Sequence, residues 1–81
     1  MSPEKLVHMA NQIATFFRSK PHEEGVAGCA EHISNFWEPR MRAQLFAMLT
    51  EGGHGFDPLL VEAAPMIRPV KPAEDHRAAS A

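Results

Sequence analysis

The sequence has one cysteine, Cys29, in 81 residues. That excludes an internal disulfide framework and suits a reducing compartment. No apolar run approaches the roughly 18 residues expected of a membrane span. The opening, Met1-Ser2-Pro3-Glu4-Lys5, lacks the cationic-then-apolar order of a secretory signal. Neither export nor membrane insertion is expected, and a cytoplasmic location is. Positive charge is not in excess: eight Lys and Arg face ten Asp and Glu, a net charge of −2. The electrostatic footprint of a nucleic-acid binder is therefore missing. Alternating apolar and polar residues are missing too, and β-branched residues are scattered, so no strand is expected. A chain this short makes one domain and can barely wall off a pocket.

What the sequence does contain is helical periodicity. Leu6, Met9, Ala10, Ile13, Phe16 and Phe17 recur at steps of three and four, the mark of one helical face. Ser2 suits an N-cap and Pro3 the first helical position. The helix should stop near Arg18 or Ser19, because the residue ahead of Pro21 is pushed out of helical geometry. A second helix should start at Pro21, with Glu23 and Glu24 placed well for the helix dipole. Its face reads Val26, Cys29, Ala30, Ile33, Phe36 and Trp37, which repeats the first face at a shift of twenty residues. The pattern is generic to amphipathic helices and does not establish a duplication. It does suggest an antiparallel pair joined by a short turn.

Pro39 should break the second helix and open a third, with Glu38 near its N-cap and Met41, Leu45, Met48 and Leu49 as the buried stripe. Phe46 lies off that stripe and widens the apolar arc. Arg40 and Arg42 fall in the first turn, where cations oppose the dipole. A residue choice that works against its local setting implies another demand, such as a partner carboxylate. Gly52-Gly53 should end the helix through a left-handed glycine. Asp57-Pro58 restarts one, carrying Leu59, Leu60, Val61 and Ala64 as far as Pro65. The expected fold is all-α: a small three-helix bundle with a short fourth helix over residues 1–67, and an extended, flexible C-terminal tail over 68–81.

The apolar arcs span about half of each helix at about 100° per residue. Three short helices cannot cover so much, so some of Phe17, Phe36, Trp37, Phe46, Met48 and Phe56 should stay exposed. Aromatic and Met side chains beside Arg match the composition of interface cores, although small cores also use large side chains.

Little else points to chemistry. The five histidines are spread along the chain. Cys29 and His32 form one pair of possible metal ligands, and no second pair accompanies them. Cys29 on a buried face should have a raised thiol pKa. Gly52-Gly53-His54-Gly55 lacks the Lys and Ser or Thr of a phosphate loop. A helix-turn-helix with Arg40 and Arg42 opening a recognition helix is the alternative from another class, but few other cations lie on that helix.

The segments from Leu6 to Phe17 and from Val26 to Arg42 resemble the delta subunit of soluble NAD-dependent formate dehydrogenases. Ala30-Glu31-His32-Ile33 running into Phe36-Trp37-Glu38-Pro39-Arg40-Met41-Arg42 carries most of the likeness. It extends over about residues 5 to 67. The resemblance implies a non-catalytic accessory subunit of a cytoplasmic complex that oxidises formate to carbon dioxide. The large alpha subunit would hold a molybdenum or tungsten bis-pterin guanine dinucleotide and iron–sulfur clusters. The beta and gamma subunits would carry FMN and further clusters and pass electrons to NAD. This chain would hold no cofactor, in keeping with a lone cysteine that cannot ligate a cluster. It would bind and stabilise the complex, or serve as a transient chaperone of cofactor insertion.

On that reading Phe36 and Trp37 meet Arg40, Met41 and Arg42 at one corner of the bundle. Phe36 or Trp37 would anchor in the large subunit, Arg40 or Arg42 would pair with an acidic group there, and His32 would hydrogen-bond across the corner. Phe46 completes the set of partner-binding candidates.

Overall fold

Each helix starts where a capping residue precedes a proline or an acidic turn. In the computed structural model, which describes residues 1–71, Ser2 Oγ accepts from the Lys5 N–H at 3.2 Å and opens α1, Pro3–Phe17. Pro21 occupies the N-cap of α2, His22–Phe36. Its side chain makes no cap bond, and Glu23 and Glu24 in the first turn supply the favourable charge instead. Glu38 precedes α3, Pro39–Glu51, and Asp57 Oδ1 caps α4, Pro58–Ala63, by accepting from the Leu59 N–H at 2.9 Å. A single 3-10 turn, Ala64–Met66, follows. There is no strand among the described residues, and the fold is all-α as expected.

α3 ends at Gly52, with φ 74° and ψ 171°. This differs from the left-handed cap expected of the glycine pair. The backbone turns outward into a positive-φ extended region that glycine alone enters at low cost.

α2 is the central element, packing against α1, α4 and the 3-10 turn, while α3 packs against α1. Leu6, Ala10 and Ala14 of α1 meet Val26, Cys29, Ala30 and Ile33 of α2 in one core that includes Trp37, Leu45, Met48, Leu59, Leu60, Ala63 and Ile67. Small residues let the helices approach closely. A Cβ at Gly25 would lie 2.5 Å from the Phe17 carbonyl oxygen, so only glycine allows α2 to start so near the end of α1.

Asn11 ties the α3–α4 connection to α1. Its Nδ2 donates to the Gly55 carbonyl at 3.0 Å and its Oδ1 accepts from the Asp57 N–H at 2.8 Å. Arg18 at the end of α1 pairs with the other oxygen of Asp57. One carboxylate thus caps α4 and joins it to α1.

The expected tail begins in an ordered state. The Arg68 N–H donates to Ser34 Oγ at 2.8 Å, and its guanidinium donates to the Ser34 carbonyl. The remainder of the expected tail, 72–81, lies outside the described residues.

Candidate functional site

The half-circumference apolar arc of α1 divides into two stripes. Leu6, Ala10 and Ala14 are fully buried in the core. Met9, Ile13 and Phe16 lie about 100° round the helix and line an open groove of about 670 Å³. α2 contributes His32 and Phe36 to the lining, and Trp37 and Met41 complete it. Gln12 and His32 are the polar members of a lining that is otherwise Met, Ile, Phe and Trp.

Gly28 shapes the floor. A Cβ there would meet Phe17 Cε1 at 2.5 Å, so the missing side chain lets the Phe17 ring lie against α2. Phe17 meets Phe16 edge-on at 4.9 Å between centroids and faces His32 at 6.3 Å. His32 lies 4.8 Å from Phe36. The result is a continuous row of rings from α1 to α2. Phe16 and Phe36, equivalent positions in the twenty-residue repeat, are 62% and 74% exposed. Lys20 Nζ sits 5.8 Å from the Phe16 centroid, a cation–π placement at one end of the row.

The corner expected from sequence is only partly a surface. Phe36 projects outward, whereas Trp37 is 6% exposed and belongs to the core. The chain leaves helical geometry at Trp37, with φ −88° and ψ 135°, which turns the indole inward. Arg40 is exposed beside Met41, Glu38 and Gln44. Arg42 is 2% exposed. Its guanidinium donates to the carbonyls of Trp37 at 3.4 Å, Arg68 at 2.7 Å and Pro69 at 3.3 Å. The demand implied by a cation in the first turn is real, but it is internal: Arg42 clasps the end of α2 to the chain after the 3-10 turn. This burial removes Arg42 from the partner-facing set and takes one cation from the recognition helix that a helix-turn-helix would need. His32 lies among rings rather than bridging the corner by a hydrogen bond. Phe46 is half-buried against the core and stands outside the groove.

Sequence reasoning missed the α1 half of the groove. The excess width of the apolar arc was the available signal, together with a glycine on a helical face opposite phenylalanine.

Cys29 is buried. Burial, with a smaller contribution from the Asp57 charge, pushes its thiol from 9.0 up to about 11. At neutral pH it is a protonated core side chain, not a nucleophile. Among the described residues, no three His, Cys, Asp or Glu side chains gather into a possible metal site, and no helix is long and apolar enough to cross a membrane.

Fold and surface together define a small all-helical domain that presents an apolar, ring-lined groove. Residues 5–64 match the model of the FdsD family, the NADH-dependent formate dehydrogenase delta subunit, and the chain belongs to that family. No curated protein and no solved structure matches the chain. The dinucleotide in the family's name does not fit the groove, whose lining has no glycine turn at a helix N-terminus for a pyrophosphate. One buried thiol is likewise not the thiolate set of an iron–sulfur cluster.

Proposed function

We propose that the chain is a non-catalytic accessory subunit of a cytoplasmic NAD-dependent formate dehydrogenase, where it binds the large catalytic subunit and stabilises the assembly. The observation that carries this reading is an open row of aromatic side chains inside the segment that defines the family. Removing such rings from water drives protein association. Phe36, His32 and Met41 form the docking bank, and Arg40 stands at its rim. Trp37 and Arg42 support the bank from beneath, and Phe46 steadies the core behind it. On this reading the partners carry the redox groups. The alpha subunit has the molybdenum or tungsten bis-pterin guanine dinucleotide and iron–sulfur clusters, and the beta and gamma subunits have FMN and further clusters.

The test is affinity purification from native cells through a tag on this chain. The reading expects recovery of the large subunit, with beta and gamma, in fixed stoichiometry and with the metal cofactor in place. Recovery with only cofactor-free large subunit would favour a transient assembly factor instead. Recovery of the chain alone would reject both.

A further inference from the structure

The groove is selective about backbone as well as side chains. Its lining has two polar residues, Gln12 and His32. A strand or loop laid into it would bury N–H and C=O groups with few partners, and every such unsatisfied group weakens binding. A helix satisfies those groups internally. The banks also fit a helix. Met9, Ile13 and Phe16 form a ridge at helical spacing on α1, Phe36 and His32 form another on α2, and the channel between them matches ridge-into-groove packing.

Charge narrows the choice further. No acidic side chain lines the groove, and Lys20 is held over the Phe16 ring at one end. Arg40 stands near the other end, but Glu38 shares its cleft. Lys20 is therefore the cation that an occupant's carboxylate would meet.

Two occupants fit poorly. Residues 72–81 read Pro-Ala-Glu-Asp-His-Arg-Ala-Ala-Ser-Ala, with no bulky apolar side chain to fill the space between the rings. A second copy paired about a two-fold axis would set one concavity against another and leave the volume unfilled.

We infer that the groove receives an amphipathic α-helix of a partner subunit, laid along α1 and α2, with bulky apolar side chains on its inner face and an acidic side chain opposite Lys20. This inference rests on the accessory-subunit reading and gives that reading a contact. Recognition is of the helix-in-groove kind, with anchors on one helical stripe.

A photo-crosslinking amino acid introduced at Phe16 or at Phe36 in the full chain, within the purified native complex, tests it. The expected products join both positions to one continuous segment of the same partner subunit, at residues spaced by three, four or seven. The same probe at exposed Val61 on α4 should not reach that segment. Lys20→Glu should weaken association roughly tenfold at low salt and less at high salt. Crosslinks to a second copy of the chain, or to a non-helical segment, would overturn the inference. So would a chain that stays bound to the complex while neither groove position crosslinks, and that result would leave the accessory-subunit reading standing. A chain with no companion subunit would overturn both.

Discussion

The two sides of the α1–α2 pair are both apolar and differ in what covers them. On one side α4 seals Leu6, Ala10 and Ala14 against Val26, Ala30 and Ile33, and Asn11, Arg18 and Asp57 fasten the cover. On the other side Met9, Ile13, Phe16 and Phe36 line an apolar groove, and no element of the described chain closes over it. Apolar residues on the sealed side contribute to folding. On the open side Met9 and Ile13 still pack partly against the core, whereas the exposed rings of Phe16 and Phe36 contribute little to folding and remain available for association.

The comparison predicts a graded response to substitution. Leu60→Ala, deep in the sealed side, should cost about 2–5 kcal/mol by transfer and cavity terms. In a domain this small, that abolishes a cooperative thermal transition followed by circular dichroism. Arg42→Ala should cost about 2–3 kcal/mol, because its three carbonyl partners lose a charged donor. It should also free Arg68 and Pro69, seen as faster amide exchange after the 3-10 turn. Asn11→Ala removes two hydrogen bonds to the α3–α4 connection and should cost about 1–2 kcal/mol in urea titration. Phe36→Ser, on the open side, should change stability by less than about 0.5 kcal/mol, while association with the complex is lost. A Phe36→Ser chain that is as unstable as Leu60→Ala would erase the distinction between the two sides.

Much of the architecture was legible in sequence because its signals are local and steric. Ser2-Pro3, Pro39 and Asp57-Pro58 start helices at the expected places, and Gly52 ends one. The burial of adjacent aromatics was not legible. Phe36 and Trp37 differ because the helix stops between them, and the direction of a side chain after a helix end depends on the tertiary fold. Arg42 was recognisable as a residue in conflict with its local setting, but its carbonyl partners lie up to 27 residues away. Asn11 gave no periodic signal at all, since an amide that ties two elements together obeys no spacing rule. The groove was visible as an excess of apolar surface. Which half of that excess stays open depends on where α4 packs.

The account depends most on the claim that another protein chain covers the open side. Hydroxyl-radical footprinting of the free chain and of the native complex, read by mass spectrometry, measures that coverage directly. Met9, Phe16, Phe36 and Met41 should be oxidised in the free chain and protected in the complex, while Met66, exposed elsewhere, is oxidised equally in both. Equal oxidation of the groove residues in the two states would contradict the account.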